Sequence, residues 1–506
     1  MRQVVSLSNE ISRQIALLIS RNGYVEYVII GTHDRIVIPD LTHYRTGRGR
    51  LKGLRCIHTH FGGKPIDEED LTDMFSLRLD IMAVIQVGAN GIPEEIVYAY
   101  ILPKGENKQK WVIETVSDIG KLRVNAEELI YSIEYELAKG HNINAIHDGH
   151  KAILVGVTVA SKYSKAFSME ELEELSISDD LVVTEKIVKR VSKEDPRFFL
   201  PRGGLMELAI AAVQTNSDYI VFDTELSPTQ VKNLADFTEL RIIDRTQLIL
   251  DIFSRRAVSR EGKIQVELAQ LKYLLPRLGS MNTAMSRLTG GIGGRGPGET
   301  KLEINRRRAN DRIAKLKREL KDISKQREDR RRRRRSNELP VISIVGYTNA
   351  GKSTLLNSLT NSNVKTKNRM FETLDSTTRR LRFPKGYEAV ITDTVGFIRN
   401  LPPDLLDAFA STLEELRDSD MILHVADAAS PYLEEHIKVV TDLLEKLSLN
   451  LIPAVLVINK SDIIGEGAAN ELAETMGGIA VSAIDPPSLK LLIGRMAHII
   501  EKHLTD

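Results

Sequence analysis

Gly346, Tyr347, Thr348, Asn349, Ala350, Gly351, Lys352 and Ser353 set two glycines, a lysine and a hydroxyl at the spacing G-x-x-x-x-G-K-[ST]. They follow the β-branched run Val341–Val345 and precede Thr354–Leu359, which reads as a helix. Strand, glycine loop and helix in that order form a phosphate cradle. The glycines let successive backbone N–H groups turn toward phosphate oxygens, and the positive end of the helix dipole adds to their field. Lys352 is placed to reach β- and γ-phosphates as a point charge, and Ser353 to offer its hydroxyl to Mg²⁺.

Three further segments extend this chemistry. Asp393, Thr394, Val395 and Gly396 end an apolar run, Ala389–Thr392. Asp393 is expected to hold Mg²⁺ through water, and the Gly396 N–H to meet the γ-phosphate. Asn459, Lys460, Ser461 and Asp462 follow the run Ala454–Ile458. The Asp462 carboxylate can accept from both N1–H and the 2-amino group of guanine. Adenine offers neither donor, so a buried carboxylate left unpaired selects against ATP. Ser482, Ala483 and Ile484 suit the loop that gives a backbone N–H to guanine O6. Phe371, Glu372, Thr373, Leu374 and Asp375 form a switch segment before Ser376–Arg379. Thr373 is the expected second protein ligand of Mg²⁺, with Thr377 and Thr378 as alternatives. Lys352, Thr373 and Gly396 are thus the expected catalytic set. The residue after Gly396 is Phe397, where Ras-type GTPases carry a glutamine that orients water. A phenyl ring cannot do this, so turnover should be slow until a partner or a bound cation completes the site.

These segments need a scaffold. A chain of 506 residues suggests about three domains, and 42% hydrophobic with 27% charged residues is ordinary for a globular protein. The single cysteine, Cys56, excludes an intramolecular disulfide framework and fits a reducing cytoplasm. No run approaches the ~18 apolar residues that cross a bilayer, and no leader pattern opens the chain. A cytoplasmic monomer is expected, with peripheral association with ribosomes or membrane open to it.

The expected fold is α/β in three parts: an N-terminal extension over 1–150, a middle domain over 151–337 and a mostly parallel P-loop G domain over 338–506. In the first part Leu7–Ile19 shows helical spacing, while Tyr24–Ile30, Ile36–Ile38, a run ending at Ile57–His60, Ile81–Val87 and Ile96–Ile101 read as strands. In the α/β subdomain over 151–260, Ile153–Val159, Tyr219–Phe222 and Arg241–Asp244 read as strands of a small parallel sheet. Ser227 with Pro228 reads as a capped helix start. The hairpin, over 261–337, has two seams of 4-3-4-3 spacing: Ile264, Leu268, Leu271, Leu275, Leu278, and Ala309, Ile313, Leu316, Leu320, Ile323. These should pack as antiparallel helices. The glycine-rich tip, residues 290–298, holds six glycines and Arg295. Between Lys301 and Arg335 stand 17 Lys/Arg against 6 Asp/Glu, a net of +11, so the remaining chain carries −10. A basic arm with a side-chain-poor tip suits a polyanion, and the lack of aromatics for stacking points to structured RNA. A merely solvated charge run is the alternative.

His58 and His60, two apart on a strand, share a face, and a carboxylate about ten residues on could complete a zinc site. The spacing resembles the H-x-H…D pattern of JAMM/MPN metalloproteases and RadC proteins, with Glu26 upstream. Glu68 stands at the pattern's serine position, and Asp70 comes one residue early. A pair of histidines shaping a protein-only loop is the alternative reading.

Taken together, Ser227–Gln230, Ile243–Thr246, Ile264–Leu271, Gly290–Thr300, the P-loop, Phe371–Arg379 and Asp393–Ile398 resemble the HflX family of the Obg–HflX superfamily. The likeness covers about 153–484. Three departures are a Phe199–Gly204 segment in place of Gly-Lys-Gly, Ser376 in place of the switch proline, and a single helix, Leu489–His503, where many members carry a further domain. The resemblance implies a GTPase that binds the large (50S) ribosomal subunit and its rRNA through the hairpin. It also implies coupling of GTP binding and hydrolysis to ribosome dissociation or rescue under stress. In the related TRAFAC GTPases an asparagine at the place of Asn349 accompanies K⁺-activated hydrolysis, which implies K⁺ beside Mg²⁺ here. Two rivals remain: a GTP-regulated adaptor for a protein partner, and a metal-dependent peptidase in residues 1–150 under control of the G domain. ATPase activity finds no second Walker motif to support it.

Overall fold

A computed structural model describes residues 1–41, 44, 50–88, 90–103, 110–117, 120, 122, 124–142, 149–158, 162–278, 297–335, 339–360, 370–371, 377–384, 386–394, 396–399, 401, 405 and 415–505. The chain divides into two compact units, one within Met1–Arg245 and one drawn from Thr246–Gly279 and Gly293–Asp506. No described helix is long and apolar enough to cross a membrane.

The first unit opens with α1 (Arg2–Ile11), β1 (Ile15–Ser20), β2 (Val25–Ile30), β3 (Leu54–Phe61), α2 (Glu68–Ser76), β4 (Ile81–Val87), β5 (Pro93–Ile101), β6 (Trp111–Val116) and α3 (Ala126–Asn142). The strands order as β2-β1-β3-β4-β5-β6. Only β3 and β4 run parallel among these pairs. The helix expected over Leu7–Ile19 is corrected here. It ends at Ile11, because Ser12 takes the left-handed conformation (φ 52°) and closes its C-terminus. Ile15–Ser20 then pairs on both edges, with β2 and β3. A short apolar run fits either periodicity, and the two ladders decide it. Ile36–Ile38 is corrected as well. These residues form no strand, and Ile36 and Ile38 cover the core from a loop.

The same unit continues with β7 (His150–Thr158), α4 (Lys162–Ser178), β8 (Leu181–Arg190), α5 (Arg202–Thr215), β9 (Tyr219–Phe222), α6 (Pro228–Phe237) and β10 (Arg241–Asp244). The sheet order is β10-β9-β7-β8, all parallel, as the alternation of strands and helices requires. Ser227 Oγ accepts from Gln230 N–H, Gln230 reaches back to Ser227 N–H, and Pro228 opens α6. Helix α5 is apolar all round because it serves two cores. Ala209, Ile210 and Val213 join the first sheet's core, while Leu205, Leu208, Ala211 and Ala212 join the second's.

In the second unit, α7 (Arg245–Arg256) leads to α8 (Arg260–Leu274) and the long α9 (Pro297–Arg335). Ile264 and Leu268 pack on Leu316, flanked by Leu271, Ile313, Leu320 and Ile323. Arg312 donates twice to Glu267, at 2.7 Å each. The seam is shorter than expected. Helix α8 gives way at Leu275–Arg277 to a 3-10 turn containing Pro276, and Leu275, Leu278 and Ala309 lie outside the packed cluster. Residues 290–296, with Arg295, lie outside the described residues.

The third sheet comprises β11 (Val341–Gly346), β12 (Thr377–Arg382), β13 (Glu388–Asp393), β14 (Met421–Asp427), β15 (Ala454–Asn459) and β16 (Ile479–Ala480). Its order is β12-β13-β11-β14-β15-β16, parallel except for the β12–β13 pair. With it go α10 (Lys352–Thr360), α11 (Leu433–Lys446), α12 (Glu466–Met476) and α13 (Leu489–Thr505). Leu355, Leu356, Leu492, Met496 and Ile500 fill its core beside Ile342, Ile344 and Val457. The carboxyl ends of β11, β13 and β15 all open toward one edge, the place where parallel α/β sheets bind ligands.

Leu316 is 1% exposed and is the fully buried residue of the hairpin seam from α9. Leu316→Ala is expected to weaken the hairpin by about 2–5 kcal/mol. Hydrogen exchange should then accelerate at the Ile264–Leu268 amides while the third sheet keeps its protection; unchanged α8 exchange would count against the seam.

Candidate nucleotide-binding site

The turn after β11 is shaped by backbone constraints. Gly346 stands at φ 157° with Val425 O where a Cβ would project, 2.2 Å away. Asn349 (φ 63°) and Gly351 (φ 86°) take left-handed conformations, which asparagine and glycine tolerate best. The loop therefore curls tightly into the N-terminus of α10. Tyr347 is buried, stacks on His436 at 3.9 Å between centroids, and accepts the Arg399 N–H at its hydroxyl, 3.0 Å. Its side chain braces the loop, and only its backbone remains for a ligand. Thr348 N–H donates to Phe397 O (2.9 Å), and Phe397 N–H to Gly346 O (3.1 Å). These bonds tie the loop to the segment after β13. The Thr348 hydroxyl is buried without a hydrogen-bond partner among the described residues.

Lys352 is buried, with its ammonium donating to Tyr347 O (2.7 Å) and Gly346 O (3.1 Å). Burial pushes its pKa down to about 8, against the opposing pull of Asp393. Behind it, His424 on β14 is buried and is pushed down to about 4 by burial and the Lys352 charge. Its neutral ring adds no charge beneath the lysine, and no sequence motif announces it. Ser353 Oγ donates to Asp393 Oδ2 at 2.6 Å. Two hard oxygen donors at the carboxyl end of parallel strands suit Mg²⁺. A Cβ at Gly396 would stand 3.0 Å from Lys352 Nζ and from Thr348 Cγ2, so glycine keeps that approach open. Thr394 is turned inward, donating to Ile344 O at 2.7 Å.

Asn459 connects the loops. Its amide donates to Ala350 O (2.8 Å), and its oxygen accepts from Ala483 N–H (3.0 Å). Lys460, left-handed at φ 65°, pairs with Asp427 at 2.7 Å. Asp462 accepts from Ser482 Oγ at 2.6 Å, which fixes its carboxylate, and Ser461 is buried. Ile484 is 71% exposed. Phe371, fully buried, meets Phe253 of α7 edge to face at 4.5 Å. Phe253 and Asp427 gave no signal in the sequence, because a helix-core phenylalanine and a strand-end aspartate are common. Glu372, Thr373, Leu374, Asp375 and Val395 lie outside the described residues. Of the alternatives to Thr373, Thr377 pairs with Asp393 in the β12–β13 ladder, and Thr378 Oγ1 lies 3.2 Å from Thr392 Oγ1.

Two outcomes follow from this geometry. A Cβ at Gly351 would meet Asn459 Nδ2 at 2.3 Å in a left-handed conformation. Gly351→Ala should therefore abolish nucleotide binding while circular dichroism stays that of the folded chain; retained affinity would show that Asn459 can move freely. Phosphate charge beside Lys352 favours its protonated form, so binding near pH 8.5 should take up a proton and weaken as pH rises above about 8. Calorimetry in two buffers of different ionisation enthalpy measures that uptake, and proton release would contradict it.

The chain matches a GTP-binding GTPase N-terminal family over 166–254, a GTP-binding GTPase Middle Region family over 256–334 and a 50S ribosome-binding GTPase family over 341–460. It is 43% identical over 350 residues to GTPase HflX of Lacrimispora saccharolytica, covering 69% of this chain and 83% of that protein. It is 45% identical over 317 residues to GTPase HflX of Caldanaerobacter subterraneus subsp. tengcongensis, covering 63% and 74%. Identity to GTPase HflX of Escherichia coli K12 is 43% over 316 residues, covering 62% and 74%. With the glycine loop, the Asp462–Ser482 pair and the helical hairpin in one chain, and with this likeness over most of its relatives' length, the protein belongs to the HflX family of GTPases.

Proposed function

We propose that the chain hydrolyses GTP at this site and uses the nucleotide state to control binding of its basic hairpin to the large ribosomal subunit. The observation that carries the nucleotide reading is the Asn459 bridge, which sets the phosphate loop and the Asp462–Ser482 pair in one frame. Asp462 recognises N1–H and the 2-amino group of guanine, and the Ser482–Ile484 loop gives a backbone N–H to O6, the Ala483 N–H itself being donated to Asn459. Lys352 and the loop N–H groups hold the β- and γ-phosphates. Ser353, Asp393 and Thr373 would hold Mg²⁺, which would neutralise phosphate charge.

Water attacks the γ-phosphorus, the bond to the β–γ bridging oxygen breaks, and GDP and phosphate leave. Lys352 stabilises charge on the transferring group, and Gly396 N–H reports its presence. Phe397 is 3% exposed and turned into the fold, so no side chain follows Gly396 to orient water. In this reading the site is completed from outside, by K⁺ near Asn349 and by the ribosomal partner. Support for that partner is the net +11 of Lys301–Arg335 along a single helix, together with the 50S ribosome-binding GTPase family match. Splitting or rescue of stressed ribosomes is the cellular role this reading favours. Phe371 links the switch segment to α7, and α7 leads into α8 of the hairpin.

GTP turnover in K⁺ buffer should rise tenfold or more with purified large ribosomal subunits, about 1.4 kcal/mol of barrier. A flat rate with normal GTP binding would replace this reading with that of an adaptor for a protein partner. Equal rates in Na⁺ and K⁺ would remove potassium from the mechanism.

A further inference from the structure

In the first unit, well away in sequence from the nucleotide motifs, β3 sets His58 and His60 on one face, and the first turn of α2 brings Asp70 to them. All three are buried, at 0%, 3% and 7% exposure. His58 Nε2 lies 3.0 Å from His60 Nε2 and 3.0 Å from Asp70 Oδ1, and His60 Nε2 lies 3.7 Å from Asp70 Oδ2. A tetrahedral zinc with bonds of 2.0–2.2 Å separates its ligand atoms by about 3.3 Å. The two 3.0 Å edges lie within about 0.3 Å of that length, and the 3.7 Å edge reaches the other carboxylate oxygen, Oδ2.

Proton counting favours a metal site over a hydrogen-bonded cluster. His60 Nδ1 faces Lys64 O at 3.3 Å and Pro65 O at 3.2 Å. Both are acceptors, so Nδ1 carries the ring proton and Nε2 presents its lone pair inward. A proton on His58 Nε2 serves one acceptor, yet His60 Nε2 and Asp70 Oδ1 both lie 3.0 Å from it. His60 Nε2 and Asp70 Oδ2 then face each other with no proton between them. A cation at the centre satisfies all three groups at once. Asp70 is itself held in place, accepting Asp67 N–H at 3.0 Å through Oδ2 while Asp67 caps its backbone. One more polar atom supports an occupant. Gln14 Oε1 is buried without a hydrogen-bond partner among the described residues. Gln14 is 2% exposed and lies two residues before Ala16, the β1 partner of His58, so it shares that sheet face.

We propose that His58, His60 and Asp70 bind a zinc ion. Two imidazoles and one carboxylate favour a borderline transition metal over Mg²⁺ or Ca²⁺. No fourth His, Cys, Asp or Glu belongs to the cluster among the described residues, so the fourth position goes to water. Three protein ligands and a water form the pattern of open zinc sites, in which the metal acidifies that water. Glu26, the upstream acid of the sequence pattern, stands apart on exposed β2 and accepts from Tyr44 OH at 3.0 Å. It takes no part.

The full-length protein, stripped with chelator and dialysed against zinc, should retain on the order of one zinc per chain by mass spectrometry. Cobalt in its place should give the intense visible bands of a four-coordinate site. His60→Gln and Asp70→Asn should each remove the metal and the bands while leaving GTP binding unchanged. Wild-type thermal stability should rise with zinc, and the Asp70→Asn variant, folded by circular dichroism, should not respond. Failure of the wild-type chain to take up either metal, or full retention in both variants, overturns the proposal.

Discussion

The nucleotide site depends on keeping a lysine ammonium inside the protein. Lys352 is out of water, satisfied by two loop carbonyls and drawn by Asp393, and it still sits well below its usual pKa. Burial of a charge is costly unless it is paired and hydrogen-bonded. Several surrounding features read as responses to that cost. The Tyr347–His436 stack and the Tyr347 OH–Arg399 bond hold the loop so that its carbonyls face the ammonium. His424, the nearest titratable ring beneath it, is held neutral. Glycine at 396 leaves the ammonium's approach unobstructed. A phosphate group answers the same demand better than carbonyls do, because it brings full negative charge. The free protein thus keeps a cation prepared for its ligand, at a cost that ligand binding offsets.

The legible parts of the chain are those where one residue type has one physical reason. Gly346 and Gly351 are needed for φ values and a closeness that a Cβ forbids, so their spacing carried the loop. Ser227-Pro228 announced a helix start because capping is local, and the capping box formed. Leu316 was legible as seam because 4-3 spacing has one packing solution. Illegible parts are decided by distant partners. Ile15–Ser20 lies within residues spaced as a helix, and only its ladders with β2 and β3 make it a strand. Leu275 and Leu278 kept the heptad count, but Pro276 ended the α-helix first. His424 and Phe253 act by position, and position is absent from composition. His58 and His60 fall between these cases. Their shared face was legible, but convergence with Asp70 depends on where α2 begins, which Asp67 fixes.

The Phe253–Phe371 contact limits what packing alone could transmit from the switch segment. An edge-to-face aromatic pair contributes about 0.5–1.5 kcal/mol beyond its buried area. Moving a two-state equilibrium from 1:99 to 99:1 takes about 5.5 kcal/mol of differential binding. The pair cannot supply that difference. Its role in a switch is geometric: both rings are fully buried, so the first residue of the switch segment cannot shift without disturbing α7. Energy for the shift has to come from groups whose interactions change by whole charges. In the proposed reading those are the γ-phosphate contacts at one end and the net +11 arm against a polyanion at the other. In the proposed reading, phosphate contacts along the arm are salt-dependent, and each released counterion adds to the total. Coupling in this chain is therefore expected to be weak in the free protein and strong only when the arm is engaged. A buried phenylalanine after Gly396, with no water-orienting side chain, has the same consequence for hydrolysis. In the proposed reading, one partner completes both the chemistry and the switch.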